Sequence, residues 1–541
     1  MTIYLDYAAT TPVDPRVAEA MIAVLTSDGL QGNAASTTHE AGYRASQLVE
    51  SARIAVAGLI GAVAREIIFT SGATEANNLA ILGVAAAARR RSETLPPAGR
   101  RRMHFVSART EHKSVLDTFK ELERQGADVT WLEPDEWGRV PPEAVRTALR
   151  DETLLVSLMH ANNELGCIND IAAISAACRE RGVLLHTDAS QSAGKIACDV
   201  STNGADFLSF TAHKMHGPKG IGALFVRESA RPRIAPIQFG GGHERGLRSG
   251  TLATHQIAGF ARAAQLASQE READARHVHA LRARLAQQLE GIPGVLFNTR
   301  PGSESLPGIL NLSFEGVEGE SLVTALAEIA VSTGSACSSA TREPSYVLRA
   351  LGRDSELAQS SLRMSLGRFS TEADVDAACR VLKRELSRLR QIAGGPGIPG
   401  VPVGRPDTGG EMPFGAALNE LAQRHFWSPA RPPRYPDGAQ PAGIQDGRAG
   451  RRIEGTEVHF ELEIADGIVK SARFTAYGCP HTLAVAAWLC EVLEGARIDA
   501  GLPGTPAGWA EKFQVPVEKL GRLLIVEDAL RAAFYPQTRK D

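Results

Sequence analysis

Long apolar runs are missing from this sequence. No stretch approaches the roughly 18 consecutive apolar residues of a membrane span, so no membrane segment is expected. A surplus of one charge is missing too. The formal net charge is -3, which offers no electrostatic attraction for nucleic acid or an anionic membrane, and neither is expected as the main partner. Cysteine is sparse and irregular. Seven cysteines with no CxxC spacing argue against a disulfide framework and against a structural zinc site. A reducing compartment suits such a chain. The first residues, MTIYLDYAATTPVDPR, lack the basic and apolar regions of a secretory signal, so a cytoplasmic location is expected.

What is present is an alternation. Short apolar runs EIIFT (66–70), MHFVSA (103–108), LLVSLMH (154–160), GVLLHTDA (182–189), ADFLSFTA (205–212) and GALFV (222–226) read as strands. Helical patterns such as EANNLAILGVAAAARR come between several of them, the signature of a mostly parallel sheet covered by helices. A long helical stretch follows over 257–292. GILNLSFEG and SLRMSLGRFS then read as strands of a smaller α+β domain that ends near 393. The segment 394–410, GGPGIPGVPVGRPDTGG, is rich in glycine and proline and reads as a linker. A second unit starts near 412. In it Val458, Phe460, Leu462 and Ile464 alternate with polar residues as a half-buried strand, ADG makes a turn, and IVKSARFTAYG returns. PHTLAVAAWLCEVLEG reads as a helix with Pro480 in its first turn and Gly495 past its end. The arginine triplets of RRRSETLPPAGRRR (89–102) read as a solvated insertion.

Three features describe a cofactor pocket. Lys214, in SFTAHKMHGPKG, follows a buried strand, where a partly desolvated amine can form a Schiff base with an aldehyde. Asp188, in HTDASQ, stands at the carboxyl end of a strand, where open α/β sheets bind ligands, and can pair with a pyridinium nitrogen. TSGATEANN (70–78) is a strand, a small-residue turn and a helix start, whose N–H groups and Thr74 suit a phosphate. Each alone has an ordinary reading as a surface lysine, a core aspartate or a helix cap. Together they describe a pyridoxal phosphate site.

The ordered motifs YLDYAATTPVDPRV, TSGATEANN, TEHKSVLD, HANNELG, HTDASQSAGK, SFTAHKMHGPKGIGALFVR, GGGHERGLRSGT and STGSACSSA resemble the NifS/IscS-type cysteine desulfurases of the first group, over residues 3 to about 390. The resemblance implies a fold type I enzyme: a mostly parallel seven-stranded sheet over about 15–256, with a small α+β domain made of the chain start and about 257–393. It implies that Lys214 holds the cofactor and moves the Cα proton, and that His112 stacks on the ring as an acid/base. Asp188 would meet the ring nitrogen, Asn163 and Gln191 the phenolic oxygen, and Ala73, Thr74, Thr211 and His213 the phosphate. Thr251 would reach the phosphate of the other subunit of a homodimer. Arg363, helped by Asn33, would clamp the carboxylate of L-cysteine. Cys337, in TGSACSSATREPSY, would attack the substrate sulfur and leave as a persulfide. No metal is expected. A selenocysteine lyase or another lyase of the same cofactor is the alternative.

Over 412–541, GIVKSARFTAYGCPHTLAVAAW and VEDALRAAF resemble IscU-type iron–sulfur scaffolds, and a single retained cysteine resembles SufE-like sulfur acceptors. Glu454, Thr456, Gly521 and Arg522 stand near the family's other conserved positions, so a conventional cluster site is not expected. Cys479, before Pro480 at a helix start, is the expected acceptor, as an exposed thiolate. The alternative is a docking module for acceptor or scaffold proteins.

Overall fold

The computed structural model describes all residues except 1, 27–30, 37, 94–101, 301, 303, 334–343, 402–417, 429, 436–440 and 536–541. Its largest sheet is built from the apolar runs. In chain order these are β1 (Ile67–Thr70), β2 (His104–Ala108), β3 (Asp128–Leu132), β4 (Thr153–Ser157), β5 (Leu184–Asp188), β6 (Phe207–Thr211) and β7 (Gly222–Val226). Across the sheet the order is β1-β7-β6-β5-β4-β2-β3, and β7 alone runs against the others. Helices cover both faces, so β1, β2, β5, β6 and β7 are buried along their whole length. That is why they read as continuous runs rather than alternations. The edge strand β3 is half-buried and carries Asp128 and Thr130.

Gly222 opens β7 between Thr70 and Thr211. A Cβ there would lie 2.7 Å from the backbone carbon of Gly72 and from the Phe210 carbonyl oxygen. Only glycine lets β7 pass this close beneath the turn that follows β1.

The 36-residue helix Thr254–Leu289 leads into the small domain. There Ser361–Ser365, Ile309–Phe314 and Val295–Phe297 form an antiparallel sheet, and the chain start joins in, Ile3–Tyr4 pairing parallel with Ile329–Ala330. The helix Glu372–Ile392 closes this domain. Thr371 and Asp374 cap it reciprocally.

In the last part of the chain, Ile444–Arg451, Thr456–Ala465 and Ile468–Tyr477 form an antiparallel meander. Asp466 and Gly467, both at positive φ, make the hairpin turn. The helices Pro480–Leu493 and Leu520–Phe534 pack on this sheet.

The linker reading meets a different arrangement in its described part. Residues 394–401 lie back along the preceding helix: Gly395 N–H donates to the Arg390 carbonyl and Ile398 N–H to Ser387 Oγ. The meander domain sits on the small domain, and one apolar cluster runs through both, from Leu382, Leu386 and Leu389 to Phe426, Trp427 and Phe474. Arg388 is buried in the junction. It donates to Glu385 Oε2 (2.7 Å) and to the Phe426 carbonyl (2.7 Å), and its guanidinium lies 5.0 Å from the Phe426 ring centre. Shared apolar burial of this extent favours one docked arrangement over a tethered pair.

Candidate active site

A cleft of about 650 Å³ opens at the carboxyl ends of β1, β4, β5 and β6, with Arg363 closing it from the small domain. Ala73, Thr74, His112, Asn163, Asp188, Gln191, Thr211, His213, Lys214 and Arg363 all line it. Residues scattered over about 290 positions meet there because each follows, or lies on, a strand that ends at the cleft.

Lys214 leaves β6 in a tight turn, and its Nζ donates to the carbonyls of Ala8 (2.5 Å) and Ala9 (2.7 Å). The segment carrying those carbonyls crosses from the small domain, tied down by Thr11 N–H to the His213 carbonyl. Gln191 Nε2 also donates to the Ala8 carbonyl, and Lys195 Nζ donates to Gln191 Oε1 at 3.0 Å. Burial pushes Lys195 down to about 7, with Lys214 and Arg363 adding to the effect.

Asp188 accepts from three donors: Ser190 N–H (2.8 Å), Ser190 Oγ–H (2.5 Å) and Asn77 Nδ2 (2.8 Å). His112 caps the helix Lys113–Arg124, its Nδ1 accepting Ser114 N–H at 3.2 Å with Ser114 Oγ 2.8 Å away. Burial pushes the His112 pKa down. Burial and the nearby Lys214, Lys219 and Lys195 bring His213 down to about 4.

Thr74 stands in the first turn of the 21-residue helix Ala73–Glu93, where backbone N–H groups have no partner within the helix. Thr211 Oγ1 donates to the Ile221 carbonyl at 2.9 Å, so in this arrangement its hydroxyl hydrogen points away from the cleft. Arg363 Nη2 pairs with Asp6 Oδ1 (2.7 Å) and Nη1 donates to the Asn163 carbonyl (2.9 Å). Its Nε and Asn163 Oδ1 are buried and, among the described residues, have no hydrogen-bond partner. Unpartnered polar atoms in a cleft wall mark where a ligand completes the bonding.

These groups fit an aldehyde cofactor with a ring nitrogen and a phosphate. Lys214 offers the amine, Asp188 the carboxylate, Gln191 and Asn163 amides, and the helix start with Thr74 an anion cradle.

Two residues stand apart. Asn33 lines a separate cavity with Arg53, Glu244, Arg245 and Leu252, so within one chain it does not share the cleft with Arg363. Thr251 is exposed and lies outside its own chain's cleft. Cys337 falls outside the described residues. Its flanks do not: Ser332 and Thr333 line the cleft, and Pro344, Ser345 and Tyr346 line a neighbouring cavity shared with His112 and Asn163. Ser345 Oγ donates to Glu164 Oε2 (2.5 Å), and Tyr346 Oη to the Glu111 carbonyl (2.8 Å). Burial raises Glu164 to about 7.

The expected exposure of Cys479 is corrected. The thiol is 0% exposed. Cys479 stands at the N-cap position of the helix Pro480–Leu493, with Thr482 Oγ1 3.4 Å from its sulfur and the Arg522 guanidinium near enough to feel its charge. The small-domain helix Gly319–Ala325 covers the place, Ser321 Oγ donating to the Gly478 carbonyl at 2.7 Å. A guanidinium beside the sulfur opposes a bound cation, and among the described residues no group of three or more His, Cys, Asp or Glu is placed to hold one. Burial pushes Cys167, Cys178 and Cys198 to about 12, Cys379 to about 11, and Cys490 upward as well.

Asp6, the Ala8 and Ala9 carbonyls, Asn77, Ser114 and Glu164 were not singled out in the sequence as site residues. Their motifs, YLDYAATTP, TSGATEANN, TEHKSVLD and HANNELG, were the available signal.

Residues 3–378 match the Aminotransferase class-V family model, and 423–541 match the NifU-like N terminal domain. The cysteine desulfurase IscS of Pseudoalteromonas translucida is 51% identical over 393 residues, 73% of this chain and 95% of that protein. The IscS of Aeromonas salmonicida is 53% identical over the same shares. Among solved structures, a NifS-like protein superposes with a TM-score of 0.64 at 36% identity, over 71% of this chain and 99% of its own. SspA in complex with cysteine superposes at 0.58 and 34% identity, over 68% and 100%. Among the described residues no helix is long and apolar enough to cross a membrane.

Proposed function

The chain belongs to the aminotransferase class-V family, among its cysteine desulfurases, and from that premise we propose that it converts L-cysteine to L-alanine with the sulfur carried off on Cys337. The observation that carries the reading is the meeting of Lys214, Asp188, His112 and Arg363 in one cleft, with Ser332 and Thr333, just before the Cys337 segment, on its wall and Pro344–Tyr346, just after it, on the neighbouring cavity.

Pyridoxal phosphate, when bound, supplies an electron sink for the bonds at the substrate's Cα. The chain's own groups do the rest. Arg363, pinned by Asp6, binds the substrate carboxylate through the edge that carries its unpartnered Nε. Asp188 holds its place at the ring nitrogen through Asn77 and Ser190. Lys214 Nζ, aimed into the cleft from the turn after β6, takes and returns the Cα proton. The Cys337 thiolate attacks the substrate Sγ. An S–S bond forms, the Cβ–S bond breaks with its electron pair left on carbon, and Cβ gains a proton. Cysteine plus thiol gives alanine plus persulfide, which balances with no outside oxidant or reductant. The enzyme works as a cytoplasmic homodimer in which Thr251, exposed and outside its own cleft, serves the second copy's phosphate site. The sulfur goes to iron–sulfur cluster assembly or thiolation. Peptide mass spectrometry after brief exposure to L-cysteine tests this: one extra sulfur on Cys337 per alanine released is expected. Alanine without sulfur on Cys337 would redirect the reading.

For the C-terminal domain, the buried Cys479 favours an acceptor that is closed while docked. Elements on both sides of the Cys337 segment approach its surroundings: Ser321 donates to the Gly478 carbonyl, and the Glu356 carboxylate lies near enough to Tyr477 to raise its pKa, after burial, the larger cause. Loading of Cys479 therefore needs this domain to lift away from Gly319–Ala325. Lys519 Nζ pairs with Glu320 (2.5 Å) and Arg522 with Glu318 (3.5 Å) across that junction. In Glu318→Lys/Glu320→Lys, iodoacetamide should label Cys479 at least about tenfold faster than in the wild type, because like charges now face each other. Equal labelling rates would show that the junction does not guard the thiol.

A further inference from the structure

We infer that Lys195 is a positioning residue for the cofactor: from outside the cleft it holds the Gln191 amide by its oxygen and so keeps an Nε2–H available for the phenolic oxygen. The inference rests on the pyridoxal phosphate reading of the cleft and adds a residue to it.

Both residues lie in the turn that follows β5. Asp188 ends that strand, and Ser190 holds it through N–H and Oγ–H. Gln191 comes next, 4% exposed, on the cleft wall. Gly194, at φ +79°, then reverses the chain. A Cβ there would lie 3.1 Å from the Ala267 Cβ and 3.2 Å from the Met215 Cβ, so the conformation and the packing both call for glycine. The bend returns Lys195 toward Gln191, with Nζ 3.0 Å from Oε1. Lys195 lines not the cleft but an adjoining cavity of about 60 Å³, which shares Ala8 and Lys214 with it.

The amide is oriented from both ends. A backbone carbonyl only accepts, so the Gln191 atom 2.8 Å from the Ala8 carbonyl is the nitrogen. A lysine amine has hydrogens to give whether it is charged or neutral, so the atom facing Lys195 is the oxygen. One Nε2 hydrogen remains, on a residue that lines the cleft. The Ala8 carbonyl does not hold the amide alone. It also receives Lys214 Nζ, whose hydrogens fall from three to at most one once that nitrogen bonds to an aldehyde. Lys195 is the partner that this change leaves in place. Its charge is not what the site favours: burial first, then Lys214 and Arg363, push it down to about 7. The contact needs a donor and not a cation.

Lys195→Met and Lys195→Gln separate the donor from the space it fills. The two new side chains are of similar length, and only the amide can donate to Gln191 Oε1. Holoenzyme is diluted into buffer containing a phosphatase that consumes released pyridoxal phosphate, and the visible band of the lysine-bound cofactor is followed. Lys195→Met should lose the band about tenfold faster than wild type, and Lys195→Gln within about threefold of it, as expected for one hydrogen bond to a buried amide. Gln191→Ala supplies a second readout. Lys195→Met and Gln191→Ala should move the band maximum in the same sense. The double variant should lose cofactor no faster than Gln191→Ala alone, because Lys195 acts only through Gln191. Equal rates for the Met and Gln variants, fast or slow, overturn the inference. So do effects that multiply in the double variant, or a Lys195→Met band that stays at the wild-type maximum. In each of these cases the cofactor reading stands. Wild type that binds no pyridoxal phosphate would overturn that reading, and this inference with it.

Discussion

Lys214→Ala is expected to abolish both the visible absorption of the lysine-bound cofactor and the release of alanine from L-cysteine. No second amine in the described cleft can replace it. Lys219 also lines the cleft but lies past the turn that aims Lys214, while Lys195 is turned to Gln191. Loss of a proton-transfer group alone costs about 10²–10⁴-fold, and loss of covalent attachment adds to it. Lys214→Arg separates charge from chemistry. A guanidinium keeps the positive charge beside the Ala8 and Ala9 carbonyls but stays protonated, so it cannot form the Schiff base or act as a base. Both variants should fail alike. Alanine release by either one within tenfold of wild type would remove Lys214 from the reaction.

Cys337→Ser should separate binding from sulfur removal. Binding uses Arg363 and the cofactor, so added L-cysteine should still change the cofactor spectrum. Sulfur extraction needs a thiolate, and a hydroxyl is neither ionised nor soft enough to take the sulfur. No persulfide should form, and sulfide release under dithiothreitol should fall to background. Rescue by another thiol is unfavourable. Cys167, Cys178, Cys198, Cys379 and Cys490 are buried with pKa values pushed up, and Cys479 is fully covered. Undiminished sulfide release from Cys337→Ser would show that the acceptor is elsewhere.

The cleft was legible in the sequence to an unusual extent, because a parallel sheet turns local pattern into common location. Each apolar run ends where its strand ends, so Asp188 and Lys214 are assembled by the topology once the runs are recognised. Asn77 shows the limit. It lies in the quoted phosphate motif, but its service to Asp188 and Ser114 depends on contacts 111 and 37 residues away. Asp6 and the Ala8 and Ala9 carbonyls are equally distant partners, and backbone carbonyls have no signature in a residue string.

Local chemistry along the chain thus determined the strands, the helix caps, the Asp466–Gly467 turn and the identity of the reacting groups, since each depends on neighbours within one or two turns. The tertiary structure alone decided three things: which donors hold Asp188 and His112, that Asn33 and Thr251 lie apart from their own cleft, and that Cys479 is covered. The Gly/Pro-rich composition of 394–410 is compatible with a free tether or a folded-back strap. Burial of Phe426 and Trp427 against Arg388 and the apolar residues of the small domain chose the second for residues 394–401, because apolar surface removed from water depends on what meets in space and not on what adjoins in sequence.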